Sequence, residues 1–263
     1  MTNKGVPDTL YIPLAARIYS TEMFPEYFRD HVSLRFKHDI PQSIFHGSSE
    51  YSMIASVARY YNTDSMERDY VKRNGKSNII HLGTGLETAY CRLLDLPAHF
   101  YDMDLPEVIE IRKRLLPKTN NETLIPGDLF DMAWANDIPN NKPIMILILG
   151  VFQYFHEDEV VDVIRKMGKR FPGAELVFDA TNTRGLSYVN KYVKKTGNDS
   201  ATMYFAVDDP AEFTDRCDAE LLECRPFFTD ARKILRKKTN ISTRVSMWYA
   251  DRYGMVKLLR MKL

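Results

Sequence analysis

The run PIMILILG, Pro143 to Gly150, is apolar at every position between its ends, and it restricts the fold more than any other stretch of the chain. A strand with one face in water alternates apolar and polar residues. A run without alternation needs cover on both faces, as in the middle of a parallel sheet. Parallel neighbours need crossover helices between them, so the rest of the sequence has to supply strands alternating with helices.

It does so beyond the RNGKSN turn at Gly75. Ile79 to Leu82 reads as a short buried strand and Leu86 to Leu96 as the helix after it. AHFYDM, Ala98 to Met103, is a second strand. Pro106 then opens a helix whose Val108, Ile109, Ile111, Leu115 and Leu116 recur at helical spacing, and Pro117 ends it. ETLIPGDL holds a third, shorter strand ending near Pro126. Glu157, Asp158 and Glu159 begin a helix that turns Val160, Val161, Val163, Ile164 and Met167 inward, and AELVFDA, Ala174 to Ala180, is the fifth strand.

Past Thr183 the pattern is polar and helical to about Asn198. AELLECRPF and VSMWYADRYGMVKLLRMKL then flank the helical TDARKILRKK; this strand, helix and long hairpin predict an antiparallel last strand. The fold class is α/β, a doubly wound sheet. Upstream, Leu10 to about Tyr70 is helical and rich in aromatics, interrupted by DIPQS around Pro41. A helical cap over residues 1–75 and a sheet domain over 76–263 are expected to form one structural unit.

Lys and Arg number 36 against 35 Asp and Glu, so the overall charge gives no reason to expect nucleic acid or an anionic membrane as partner. Cys91, Cys217 and Cys224 are odd in number and form no CxxC pair, which suits a reducing, cytoplasmic setting. MTNKGVPDTL has no continuous apolar h-region, and no later segment offers about 18 consecutive apolar residues, so neither secretion nor membrane spanning is expected. The histidines show no HxxxH or HxH spacing, and no metal is expected. Neither a GxSxG elbow nor a GxxxxGK[ST] loop is present.

The chemistry concentrates in IIHLGTGLET, Ile79 to Thr88. A strand, a Gly-x-Gly turn and a helix aim backbone N–H groups at the carboxyl end of the sheet, where open α/β folds bind ligands. The same turn also serves tight packing with no ligand. YDMDLP sets Asp102 and Asp104 17 and 19 residues after Gly85. An acid at a spacing of about 20 can grip a ribose diol; alternatively, Asp104 precedes the helix at Pro106 and favours its dipole. Thr88 stands where a dinucleotide fingerprint carries its third small residue, which weakens a dinucleotide reading; a ligand with ribose and adenine but no phosphate fits equally well.

The stretch NIIHLGTGLETAYCRLLDLPAHFYDMDLPEVIEIRKRLLP resembles the leucine carboxyl methyltransferase family, and within it the bacterial polyketide-type O-methyltransferase branch. TLYIPLAARIYS resembles the family's N-terminal segment, GDL at Gly127 to Leu129 its third motif, and GVFQYF its motif after strand four. The resemblance implies a Rossmann-like, seven-stranded methyltransferase sheet under a helical cap. The implied donor is S-adenosylmethionine, with S-adenosylhomocysteine as product. By the same resemblance Gly83 and Gly85 shape the donor loop, Asp104 binds ribose, Asp128 and Leu129 hold adenine, Gly150 lines the site, and Arg59 pairs with the donor carboxylate. Arg17 matches a further family position, at the acceptor or locking the cap. The resemblance implies an acid, common in the family, just before Gly150, where this chain has Leu149.

Methyl transfer from a sulfonium is an in-line displacement, in which alignment and exclusion of water carry much of the rate. A carboxylate acceptor needs no base, whereas a phenol or alcohol has to lose a proton. His156 is the nearest base by sequence, and equally an ordinary histidine in the acidic first turn of a helix, so no catalytic residue is assigned. Tyr11 and Tyr154 are expected at the acceptor pocket, with Phe152 and Phe155 as further aromatics near it, and Asn182 and Arg184 in the loop after strand five. The sequence-level reading is an O-methyltransferase of a small-molecule carboxylate or phenol. The alternatives are methylation of a protein C-terminal carboxylate and a non-catalytic adenosyl-ligand-binding protein.

Overall fold

The computed structural model describes residues 8–196 and 202–263. Helices α1 (Asp8–Met23), α2 (Gln42–Gly47) and α3 (Glu50–Asn74) precede β1 (Ser77–Leu82). There follow α4 (Ala89–Arg92), β2 (Ala98–Asp104), α5 (Pro106–Leu115), β3 (Glu122–Pro126), β4 (Ile144–Ile148), α6 (Glu157–Arg170), β5 (Glu175–Thr181) and α7 (Thr183–Thr196). The chain closes with α8 (Pro210–Arg216), β6 (Glu220–Pro226), α9 (Thr229–Ile234), α10 (Ile241–Arg252) and β7 (Val256–Lys262). The sheet has seven strands in the order β3-β2-β1-β4-β5-β7-β6. β4 is central, parallel to β1 and β5, and all five of its residues are buried. β7 runs antiparallel between β5 and β6, as the C-terminal pattern predicts.

Period-two alternation divides the core between the two faces of the sheet. Ile79, Met145, Leu147, Val177 and Leu258 face α1, α3, α9 and α10. Ile80, Leu82, Ile146, Ile148, Phe178 and Leu259 face α6, α8 and Trp134. The carboxyl ends of β1, β4 and β5 therefore lie side by side at one rim, with the N-terminal helices packed on the first of these faces.

Ser49 starts α3 by accepting from the Ser52 N–H at 3.1 Å, and Gly75 at φ 72° ends it. This helix is tied to both ends of β5. Arg59 meets Asp179 at 2.7 Å near the carboxyl end, and Arg73 grips Glu175 with two bonds of 3.0 and 3.1 Å at the other.

Two segments differ from the sequence reading. The helix expected over Leu86 to Leu96 is reduced to the four residues of α4, and ahead of it arginine side chains pin three successive carbonyls of the turn. Arg112 donates to the Gly85 and Glu87 oxygens at 2.9 Å each, and Arg17 to the Leu86 oxygen at 2.5 Å, so these acceptors are lost to a helical ladder. In the expected C-terminal hairpin, VSMWYADR is instead part of α10. Asn240 starts that helix by accepting from the Thr243 N–H at 2.7 Å, and Thr243, Met247 and Ala250 turn inward at helical spacing. The expected end of the α7 segment at Asn198, and the start of the N-terminal segment, fall outside the described residues.

Candidate active site

The turn after β1 is shaped by two glycines with positive φ, Gly83 at 67° and Gly85 at 52°. A Cβ on Gly83 would lie 2.4 Å from Val151 Cγ2, so this position has no room for a side chain. The Gly83 and Thr84 N–H groups both donate to the Met103 oxygen, at 2.9 and 3.1 Å. Asp104 then joins the turn to the next element: its Oδ2 accepts from the Gly85 N–H and its Oδ1 from the Leu105 N–H, each at 2.7 Å. Burial raises the Asp104 pKa, and the two backbone donors oppose the rise. Each oxygen retains acceptor capacity for a hydroxyl. The Gly127 N–H donates to the Asp104 carbonyl at 2.9 Å and so brings the GDL segment alongside.

Beneath the turn lies a network of buried charge that was not anticipated. Arg112 is fully buried, forms a short hydrogen bond with Asp102, meets Glu122 at 2.8 Å, and holds the turn carbonyls from below. Asp102 is thereby buried away from the rim: of the two strand-two carboxylates, Asp104 is the one that meets the glycine turn. His81 lies between Asp102, 2.7 Å from Nδ1, and Glu67, 3.6 Å from Nε2. Burial opposes the imidazolium charge, but the two acids outweigh it and push the His81 pKa up to about 10.

The sign of the pH dependence follows from linkage. A group with a raised folded-state pKa contributes stability that is complete below its unfolded value and is lost as pH rises through the folded one. For His81 that window runs from 6.5 to about 10. For Glu122, raised to about 8 by burial and by Asp102, it runs from 4.5 to about 8. On the acid side, Asp102 and Asp30 are held down to about 2 against burial, chiefly by Arg112 and Arg17, so their contribution is lost as pH falls from 3.8 to about 2. Urea unfolding of the wild-type protein between pH 5 and 10 should therefore show stability declining with pH. His81→Gln should flatten the upper part of that decline; an unchanged slope above pH 7 would contradict the assignment.

At the ends of β4 and β5, Arg59 Nη2 meets Asp179 Oδ2 at 2.7 Å, and the Gly150 N–H donates to Asp179 Oδ1 at 2.6 Å. Gly150 has φ 70°, and a Cβ there would lie 3.0 Å from Arg59 Nη1, so the glycine lets the guanidinium approach the backbone. Burial lowers the Arg59 pKa, but Asp179 and neighbouring groups raise it overall. Leu149 packs against the cap-side core and, with Tyr60, His81, Leu82, Gly83, Thr84, Glu87 and Leu147, lines a cavity of about 30 Å³. Buried polar atoms are almost always paired. Here Arg59 Nε, Thr84 Oγ1 and Glu87 Oε2 are buried without a hydrogen-bond partner, all around this turn. A polar ligand above the turn fits that arrangement.

The remaining residues singled out from the sequence separate into two groups. Asp128 is exposed, with its Oδ1 accepting from the Phe130 N–H at 2.9 Å, and Leu129 is buried beside it, so both stand next to Asp104. Tyr154 is exposed on the short turn after Gly150. Others have their partners within the fold. Tyr11 lies in the core, while its neighbour Leu10 covers Gly85. Arg17 is 1% exposed, with its donors on Asp30, Ser33 and the Leu86 oxygen, and it locks α1 onto the turn. Asn182 donates to the Tyr253 oxygen at 2.8 Å and accepts from the Gly185 N–H at 2.8 Å, and the Arg184 guanidinium lies 4.6 Å above the Tyr253 ring. These two anchor α7 to α10 at the end of β5. Phe152 is a core residue, and Phe155 packs against Phe130. His156 starts α6, its N–H donating to Glu159 Oε2 at 2.9 Å, with its ring against Tyr204.

Asp179 was not foreseen. The available signal was an acid directly after the apolar LVF run near the end of AELVFDA.

A seven-stranded sheet with an antiparallel β7, a glycine turn after β1 and an acid ending β2 defines the class of S-adenosylmethionine-dependent, Rossmann-like methyltransferases. Residues 13–168 match the leucine carboxyl methyltransferase sequence profile, and the chain belongs to that family. It is 26% identical over 165 residues to the tetracenomycin polyketide synthesis O-methyltransferase TcmP of Streptomyces glaucescens, a match covering 59% of this chain and 60% of that protein. It is 27% identical over 236 residues to the S-adenosyl-L-methionine-dependent methyltransferase dpfgK of Gibberella zeae, covering 81% of this chain and 78% of that one. The structure of magnesium protoporphyrin IX methyltransferase from Synechocystis with bound SAH is similar in fold, with TM-score 0.52, 14% identity, and coverage of 94% and 98%. Among the described residues no helix is long and apolar enough to cross a membrane.

Proposed function

We propose that this chain methylates an oxygen of a small metabolite, a carboxylate or a phenolic hydroxyl, with S-adenosylmethionine as donor. The observation that carries the reading is Asp104 accepting from the Gly85 N–H at 2.7 Å, which places a carboxylate at the mouth of a turn too tight for any side chain. When bound, the donor supplies a methyl group on a positively charged sulfur. Asp104 would hold the ribose hydroxyls, Asp128 and Leu129 the adenine, and Arg59 the carboxylate of the amino-acid end.

Catalysis is then mainly a matter of geometry. The helices α1 and α3 close the site against water, with Leu10 over Gly85 and Tyr60 on the cavity wall. An acceptor carboxylate is already ionised and needs only alignment, which is worth about 7–11 kcal/mol in favourable cases. Oxygen as the nucleophile is supported by the carboxyl and O-methyl acceptors in the names of the family and of the Streptomyces relative.

Asp104→Asn should weaken binding of S-adenosylhomocysteine about tenfold to a hundredfold by calorimetry, because a charge-assisted acceptor is lost and an amide faces the Gly85 N–H. Affinity unchanged in a folded variant would remove the donor assignment. The acceptor is found by incubating metabolite pools with donor and enzyme and following products heavier by one methyl group. Mild base cleaves such a product if it is an ester and leaves an ether intact.

A further inference from the structure

The rim where β4 and β5 end presents a cation and an anion side by side. The Arg59 guanidinium and the Asp179 carboxylate are 2.7 Å apart, anchored from different elements. Asp179 is 9% exposed, and two of its hydrogen bonds are fixed, one from Arg59 and one from the Gly150 N–H. A carboxylate has about four acceptor positions, so about two remain. Arg59 in turn keeps a buried Nε with no partner. Residue 149, just before Gly150, is a leucine that packs against the cap-side core and brings no charge to this rim. The negative charge at this rim comes from the neighbouring strand, through Asp179 at the Gly150 N–H.

A side-by-side ion pair of this kind is complementary to a zwitterion. The amino-acid end of the donor carries an ammonium with three donors beside a carboxylate, and neither is held by the glycine turn through a charged side chain. β4 alone separates β1 from β5, and adjacent strands lie about 4.8 Å apart, so a ligand seated on the turn at Gly83 needs to extend only about 10 Å to reach the pair.

Resting on the donor assignment above, we infer that Asp179 is a donor-binding residue: its free lone pairs accept from the donor ammonium while Arg59 holds the adjacent carboxylate. Two other roles are open to the same pair, and they predict different behaviour. If Asp179 only orients Arg59, its charge matters to any ligand carrying the carboxylate. If it is a latch that competes with the ligand for Arg59, removing its charge improves binding.

Asp179→Asn, which preserves the shape and one acceptor oxygen, distinguishes the three when calorimetry is run with three probes. S-adenosylhomocysteine carries both charged groups, its desamino analogue only the carboxylate, and 5′-methylthioadenosine neither. The expected result is a loss of about tenfold to a hundredfold for S-adenosylhomocysteine, with the other two probes within twofold of wild type. An equal loss for the desamino analogue would reduce Asp179 to a positioning residue for Arg59. Tighter binding of S-adenosylhomocysteine would make it a competing latch, and an unchanged affinity would dismiss it; each of these overturns the inference. Wild-type protein that binds neither S-adenosylhomocysteine nor 5′-methylthioadenosine would instead remove the donor assignment itself, and this inference with it. Circular dichroism and the thermal midpoint of the variant establish that it is folded before any affinity is compared.

Discussion

Gly83→Ala is expected to cost about 2–4 kcal/mol of stability and to abolish donor binding in the fraction that remains folded. Two separate causes add. An alanine at φ 67° sits in the left-handed region at a cost of about 1–2 kcal/mol. Its Cβ would also lie 2.4 Å from Val151 Cγ2, a distance that forces either the turn or the strand-four loop to move. Urea unfolding measures the sum, and a double-mutant cycle separates the causes. Val151→Ala removes the Cγ2 atom and leaves the nearest remaining atom, the Val151 Cβ, at 3.5 Å. The double variant should therefore recover about 1 kcal/mol or more of the loss while keeping the backbone part. A single variant within 0.5 kcal/mol of wild type would mean that the turn is not fixed by this contact.

The second large effect is expected at Arg112→Met. The guanidinium is fully buried and serves Asp102, Glu122 and the carbonyls of Gly85 and Glu87 at once. Removing one partner of a buried ion pair leaves an uncompensated charge, typically at a cost of about 3–5 kcal/mol. Asp102→Asn in the same chain removes the stranded charge, so the double variant should be more stable than Arg112→Met alone. It should not recover donor affinity, because the turn carbonyls still lack their donor. If the double variant is no more stable than the single one, Asp102 is not the group left unpaired.

The legible part of this molecule is the part written by short-range rules. The unbroken apolar run of β4, the caps and charges around α6, and the order of strands and helices from Ile79 to Ala180 could each be read locally, and they give the parallel half of the sheet. The resemblance of one continuous segment gave the family. What could not be read depends on partners distant in sequence. Arg17 and Arg112 bond to the turn from 69 and 27 residues away, and they pin its carbonyls ahead of the helix that the pattern of Leu86 to Leu96 suggests. Asp179 meets Arg59 across 120 residues. α10 was misread because Val, Trp and Tyr favour strands, while the Asn240 cap and inward Met247 and Ala250 decide the matter through tertiary packing. Of the residues named for the site, Gly83, Gly85, Asp104 and the GDL segment are brought together, and so are Arg59 and Gly150. Arg17 rests on the family resemblance, and Tyr11, Asn182 and Arg184 on residue type and neighbourhood; the donors and rings of Arg17, Asn182 and Arg184 are engaged within the fold.

The double attachment of α3 to β5 has an evolutionary corollary. From residue 59 to residue 73 the helix rises about 21 Å, while β5 from 175 to 179 spans about 13 Å, so the two arginine arms must lean toward each other to reach their acids. Gaining or losing one residue between them would swing one arm by about 100° around the helix axis, out of reach of the strand. The interval therefore behaves as a ruler: homologous chains retaining both pairs are free to drift in composition along it, but its length should be frozen, and natural insertions should collect before Ser49 or after Asn74.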